Sequence, residues 1–165
     1  MIGDRTVLAV IPARSGSKRC PGKNFRDFRG KPLYMWSVMA AYECDLIDTV
    51  IVSKDADRPP ELSTDTATNE DVLRYHLKQY PHDIVVLLQP TSPLRSVSDI
   101  AKCIELASEV DMACVSYRED GTKNGAVYVA TTEWIAKHDF TYEHLHYEMP
   151  NERSLDIDYI EDFER

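Results

Sequence analysis

Val7-Leu8-Ala9-Val10-Ile11, running directly into Pro12-Ala13-Arg14-Ser15-Gly16-Ser17-Lys18-Arg19-Cys20-Pro21-Gly22-Lys23-Asn24, is the stretch on which the fold turns. Five consecutive apolar residues without alternation read as a strand covered on both faces, so other elements must lie above and below it. The chain then leaves the core as a basic loop of small residues ahead of a helix-like segment. Such a loop can aim backbone N–H groups at a polyanion while Arg14, Lys18 and Lys23 neutralise its charge, as a triphosphate requires. A basic surface turn is the competing reading; the exit from a buried strand favours anion binding. The loop is neither G-x-x-x-x-G-K-[ST] nor G-x-G-x-x-G, so neither a standard P-loop nor a dinucleotide fingerprint is present.

The same strand-loop-helix rhythm continues outward from this stretch. A helix is predicted over Pro32 to Glu43, a short buried strand over Val50-Ile51-Val52, and a helix over Asn69 to Gln79 capped by Thr68 or Asn69. Ile84 to Leu88 is the next buried strand and ends in Gln89-Pro90-Thr91-Ser92-Pro93-Leu94-Arg95. An amphipathic helix over about Ser98 to Ser108 follows, then strands over Met112 to Ser116 and Ala126 to Ala130, and a short helix near Thr132 to Lys137. Strands alternating with helices imply an α/β protein with a mostly parallel sheet and helices on both faces, whose ligands sit beyond the carboxyl ends of the strands. Only five residues separate Val52 from Arg58-Pro59-Pro60, and seven separate Ser116 from Asn124. Both joins are short for parallel crossovers, which take about a dozen residues.

With 165 residues, 43% of them hydrophobic, the chain has material for one core, and one principal domain over residues 1–165 is expected. Cys20, Cys44, Cys103 and Cys114 form no C-x-x-C or zinc pattern, and no signal peptide is evident, so free thiols in the cytoplasm are expected. No apolar run reaches the roughly 20 residues of a membrane span. A net charge of −9 argues against nucleic-acid binding, yet the charge is segregated. Residues 1–31 hold eight Lys/Arg against two carboxylates, and residues 139–165 hold nine carboxylates against two Arg. Two solvated surfaces would explain this; so would a site whose basic end grips phosphates and whose acidic end holds a divalent cation.

Asp156 and Asp158 in Ser154-Leu155-Asp156-Ile157-Asp158 supply that acidic end, because in an extended segment residues two apart face the same side. A magnesium ion suits the pair, since it takes one or two carboxylates and completes its shell with water and phosphate oxygens. D-x-D pairs also occur by chance. Gln89, Ser92 and Arg95 lie where side chains can orient a substrate, although the prolines there are equally a structural turn. Asn124-Gly125 can be read as a hairpin turn. The five histidines lack metal spacing, and no nucleophile elbow supports Ser/His/Asp catalysis.

Taken in order, Ile11-Pro12-Ala13-Arg14-Ser15-Gly16-Ser17-Lys18, Pro21-Gly22-Lys23-Asn24, Arg58-Pro59-Pro60-Glu61-Leu62, Asp65-Thr66-Ala67, Leu88 to Arg95, Asn124-Gly125-Ala126-Val127-Tyr128 and Asp156-Ile157-Asp158 resemble the acylneuraminate cytidylyltransferases. The resemblance spans nearly the whole chain and implies a Rossmann-like nucleotidyltransferase joining CTP to a nine-carbon acidic 2-keto sugar with release of pyrophosphate. By matching motif, it implies that Arg14, Ser17, Lys18 and Lys23 line the triphosphate. Asn24 and Arg58 would then read the cytosine, with Thr68 and Asn69 close to the nucleotide. Gln89 would contact the sugar acid, Asn124 and Tyr128 would line its pocket, and Asp156 with Asp158 would hold magnesium. Phosphoryl-type transfer needs positioning and charge neutralisation more than a protein nucleophile. Relative to the family, a helix-and-strand segment is missing between Asp57 and Arg58, and a longer stretch between Tyr117 and Asn124. The second stretch normally carries basic sugar contacts and a dimer arm, so a homodimer is implied only for a chain that has it. The same chemistry on another acidic sugar or nucleotide, and a nucleotide-binding module without turnover, are the alternatives.

Overall fold

The computed structural model describes residues 1–16 and 19–165; Ser17 and Lys18 lie outside the described residues. In chain order the regular elements are β1 (Val7–Pro12), β2 (Asp27–Phe28), β3 (Lys31–Pro32), α1 (Leu33–Glu43), β4 (Thr49–Ser53), α2 (Asn69–Gln79) and β5 (Ile84–Leu87). They continue as α3 (Val97–Val110), β6 (Ala113–Tyr117), β7 (Lys123–Thr131), α4 (Thr132–Lys137) and β8 (Leu145–Glu148). Six strands form one sheet in the order β4-β1-β5-β7-β6-β8. β7 runs against both of its neighbours, while the β4–β1, β1–β5 and β6–β8 pairs are parallel. The expected mostly parallel sheet is therefore present.

Alternation along the central strands decides which helix covers which face. Val7, Ala9, Ile11, Ile84 and Val86 point into a core shared with α1 and α3, and Leu8, Val10, Val85 and Leu87 point into one shared with α2 and α4. All nine are essentially inaccessible to solvent. At about 1.5–3 kcal/mol for each fully buried branched side chain, these two layers are the main source of stability. Polar caps fix where the helices start: Thr68 Oγ1 accepts from Asp71 N at 3.1 Å, and Ser96 and Asp99 form a reciprocal capping box on α3.

Neither short join is itself a parallel crossover. From β4 the chain reaches β5 through α2, so the turn between Ser53 and Arg58 is only the start of a long connection. The Ser116–Asn124 join is no crossover, because β6 and β7 form an antiparallel hairpin. That hairpin closes through Arg118 N→Thr122 O at 2.7 Å and Gly121 N→Arg118 O at 3.0 Å. Asn124-Gly125 lies inside β7 rather than at the turn, next to a register shift between Val115 and Tyr117. β4 is a half-buried edge strand rather than a fully buried one, since only β1 pairs with it. β8 is an additional edge strand.

A third, smaller core positions the acidic segment. The β2–β3 ribbon turns through Arg29 (φ 50) and Gly30 (φ 95), the positive-φ pair of a tight hairpin, and buries Phe28 against Leu33 and Ile157. Ile157 N also donates to Thr91 O at 2.8 Å. Residues 155–158 are thereby pinned beside the loop that follows β5.

Candidate active site

The loops after β1, β4 and β5 converge at the carboxyl ends of the parallel strands, around a cleft of about 200 Å³. Arg14, Gly16, Lys23, Asn24, Arg58, Asn69 and Gln89 line it. Asn24 secures the loop: its Nδ2 donates to Arg14 O at 2.9 Å. Arg14 extends a guanidinium to Asp65 at 2.8 Å, and a Cβ on Gly16 would come within 2.8 Å of Arg14 Nη1. Glycine at position 16 thus leaves the Arg14 head room to sit across the loop. On the other side Asp55 accepts from both the backbone N–H and the hydroxyl of Ser15. The hydroxyl bond, helped by Arg58 and Arg14, holds the Asp55 carboxyl below its ordinary range despite burial.

Arg58 forms part of the floor. It is 8% exposed and donates to Ser53 O and Leu62 O, each at 3.0 Å, while its Nε has no partner among the described residues. Burial, the largest cause, lowers its pKa from the ordinary guanidinium value, and the charge of Arg14 adds to this. Beneath it His76 Nε2 lies 2.7 Å from Ser53 Oγ. Burial and the nearby Arg58 charge push the His76 pKa down, which keeps the ring neutral.

The loop after β5 rests on a buried cation. Arg95, only 5% exposed, donates to Ala126 O at 2.6 Å, to Ser37 Oγ at 2.8 Å and to Gln89 O. These bonds fix the backbone of Gln89. Its side-chain Oε1 would lie 3.2 Å from a Cβ at Gly125, whose φ is +74°. Gly125 therefore both permits a β7 conformation unfavourable for L-residues and leaves space for Gln89.

A second cleft has Arg118, Asp120, Asp156, Asp158 and Asp162 among its walls, and Thr91 of the first cleft ties to it by hydrogen bonds with Ile157 and Asp156. Asp156 and Asp158 flank the buried Ile157 and both face this cleft, as the period of an extended segment requires. Asp156 has its carboxyl pushed up by burial first and by the like charge of Asp158 second, opposed by a hydrogen bond with Thr91 and by the charges of Arg118 and Lys23. Arg19 stands 4.0 Å from Asp158, and Arg118 stands 4.0 Å from Asp156. The segment leading into this pair is tied down by Asp99, which is fully buried and accepts from Arg153 Nε and Nη2 at 2.9 and 2.8 Å and from Tyr147 Oη at 2.9 Å.

Of the residues expected from sequence, Arg14, Lys23, Asn24, Arg58, Asn69 and Gln89 come together in the first cleft, and Asp156 and Asp158 in the second. Thr68 stands at the cap of α2 beside Asn69. Asn124 departs from expectation and lines neither cleft. It is 1% exposed, and its amide is engaged by Ser116, Ala126, Met149 and Ser154. Tyr128 is half-buried against Phe140, with ring centroids 5.0 Å apart, and burial raises its pKa, as do Glu70, Tyr117 and Asp156. Gly125 was read from sequence only as part of a turn and a motif, whereas Asp55, Thr91, Asp99 and Arg118 were not singled out. Thr91 lay within a quoted motif; the others are recognisable only from their spatial partners.

Similarity to known proteins agrees with this geometry. The cytidylyltransferase family model matches residues 8–58, which contain the basic loop and Arg58. An N-acylneuraminate cytidylyltransferase from Streptococcus agalactiae is 31% identical over 211 aligned positions, covering 94% of this chain and 51% of the relative. The chain thus spans about half the length of that curated relative. A CMP:2-keto-3-deoxy-manno-octonic acid synthetase solved with CTP superposes with a TM-score of 0.76 at 15% identity, over 96% of this chain and 95% of the other. The Mycobacterium tuberculosis protein Rv0371c, solved with manganese, does so with a TM-score of 0.69 at 14% identity, over 97% of each chain. These structures establish the Rossmann-like nucleotidyltransferase fold. Sequence motifs, fold and aligned relatives together make this chain a homologue of the acylneuraminate cytidylyltransferases.

Proposed function

We propose that the protein transfers a cytidylyl group from CTP to a sialic-acid-like 2-keto sugar acid, giving a CMP-sugar and pyrophosphate. The observation that carries this reading is a basic cleft built on strand-ending loops whose Thr91 is hydrogen-bonded to Ile157 and Asp156, beside an acidic cleft lined by Asp156 and Asp158. The relatives' names and the CTP in the matching synthetase supply the substrates.

In this mechanism Arg14 and Lys23 hold the triphosphate, and Ser17 and Lys18 extend the same grip. Asn24, Arg58 and Asn69 shape the space around the base. Gln89, held by the Arg95 strut, orients the sugar acid, with Tyr128 nearby and Asn124 acting as a buried support. The sugar's anomeric hydroxyl attacks the α-phosphorus in line, giving up its proton to water, and the bond from the α-phosphorus to the bridging oxygen breaks as pyrophosphate leaves. No protein nucleophile takes part, so the residues contribute orientation and charge neutralisation.

The carboxylates of Asp156 and Asp158 suit magnesium. Their oxygens are hard donors on one wall, and their mutual repulsion is of the kind a dication relieves. Magnesium held there supplies Lewis-acid neutralisation of phosphate oxygens. The manganese in Rv0371c supports a divalent ion in this fold. Four buried cysteines with no C-x-x-C pattern fit the cytoplasm. A homodimer is proposed for a form carrying the longer segment between Tyr117 and Asn124.

The test is pyrophosphate release from CTP and N-acetylneuraminate with and without magnesium, repeated with GTP. Magnesium-dependent release that prefers CTP is expected. CTP binding without release would establish the non-catalytic alternative. That second reading draws support from an alignment of 211 positions to a chain of 165 residues, which shows that the relative carries residues this chain lacks.

A further inference from the structure

The acidic cleft presents a difficulty for the substrate proposed above. Asp120, Asp156, Asp158 and Asp162 all line it, and a sugar carboxylate entering it would be repelled unless a cation met it. Two arginines also line this cleft. Arg165 sits 3.6 Å from Asp162 and is 68% exposed. Arg118 is 29% exposed and is built into the wall.

The tight β6–β7 hairpin holds Arg118 in place. Asp120 accepts from Thr122 N at 2.9 Å and Thr122 Oγ1 at 2.7 Å, which shapes the turn. Arg118 Nη1 then donates to Lys123 O at 2.6 Å and to Thr122 Oγ1 at 3.3 Å. Nη2 is left 4.0 Å from Asp156 on the cleft wall, a separation at the outer limit of ion pairing. One nitrogen anchors the guanidinium and the other is only loosely engaged, so the planar fork is preorganised with donors to spare.

We propose that Arg118 is the specificity-determining residue for the acidic sugar, its free guanidinium edge receiving the substrate carboxylate beside Asp156. The short hairpin thereby supplies from within this chain a fixed cation beside the carboxylates proposed to hold magnesium. This rests on the cytidylyl-transfer reading and deepens it.

The experiment compares wild type, Arg118→Ala and Arg118→Lys in steady-state kinetics with CTP, against both N-acetylneuraminate and its uncharged methyl ester. Loss of a charge-assisted contact should lower kcat/KM for the acid about 10- to 100-fold in Arg118→Ala, mainly through KM, with KM for CTP changed by less than about twofold. Against the ester the same substitution should cost nothing further, because the charge it would meet is gone. Arg118→Lys should recover part of the loss, and it preserves the test should the alanine variant fold poorly. An equal loss on acid and ester, or no loss on the acid, overturns the proposal. Absence of turnover in wild type would instead defeat the cytidylyl-transfer reading. Arg118 is then judged by direct binding of N-acetylneuraminate in ligand-observed NMR, where equal binding by wild type and Arg118→Ala overturns it.

Discussion

The two clefts are tied together at Thr91 but are built in opposite ways. The basic one is local: Arg14, Lys23 and Asn24 arise from a single loop leaving β1, and Asn24 ties that loop to itself. The acidic one is assembled from a distance. Asp156 and Asp158 are placed by Ile157 in the small core around Phe28, by Thr91 after β5, and by Asp99 at the start of α3 holding Arg153. Positive charges on a strand-ending loop can be arranged by the loop's own backbone. Two repelling carboxylates need rigid neighbours that hold them together.

The largest effect follows from removing the carboxylates. Asp156→Ala together with Asp158→Ala should lower metal-dependent pyrophosphate release by about three orders of magnitude, the equivalent of about 4 kcal/mol of transition-state stabilisation, with an unchanged circular dichroism spectrum. Turnover that survives and still responds to magnesium would break the assignment of this cleft.

Next comes the remote support. Asp99→Asn should destabilise the protein by about 2–3 kcal/mol, at the lower end for a broken buried ion pair because Arg153 is 35% exposed. Hydrogen bonds from Arg153, Ser96 and Tyr147 outweigh burial and depress the Asp99 pKa. Its stabilisation is therefore full above the unfolded carboxyl pKa, about 3.9, and is lost as pH falls through the folded value. Urea melts across this range should show a shallower acid limb in the variant. The half-saturating magnesium concentration should also rise if Asp99 positions the acidic segment; an unchanged value would show that Asp99 serves stability alone.

Gly125→Ala should cost about 1–2 kcal/mol from the left-handed backbone, and should raise KM for the sugar acid by pressing on Gln89. A lowered Tm without a change in KM would separate the two effects. The smallest response belongs to the basic cleft. Because the His76 pKa is lowered in the fold, wild-type stability should fall as pH drops below about 6.5 until the folded value is reached, and should be level above it. His76→Gln should abolish that slope.

The unequal construction of the clefts also explains what could be read from sequence. The central strands, the helix over Asn69–Gln79 and the short helix over Thr132–Lys137 followed from apolar runs and caps, because local pattern and tertiary burial agree there. The basic loop was legible for the same reason. β8 escaped notice because Leu145–Glu148 is a four-residue edge strand carrying exposed His146 and Glu148. Asn124 was expected at the substrate because it stands in a motif, but its hydrogen bonds to Ser116 and Ser154 are made across segments that no local pattern connects. Crossover length did not apply to the Ser116–Asn124 join, because the two strands it links run antiparallel.

Arg95 has a consequence beyond geometry. Its charge lies beneath the Gln89 loop with hydroxyl and carbonyl acceptors, is 5% exposed, and has its pKa lowered to about 9 by burial, against which the charge of Asp99 works. Mobile ions screen exposed charges over about 8 Å at physiological ionic strength, but they cannot enter the packed layer around this guanidinium. The contacts by which this guanidinium holds the Gln89 loop should therefore persist in concentrated salt, after the ion pairs of the surface lysines and arginines have faded.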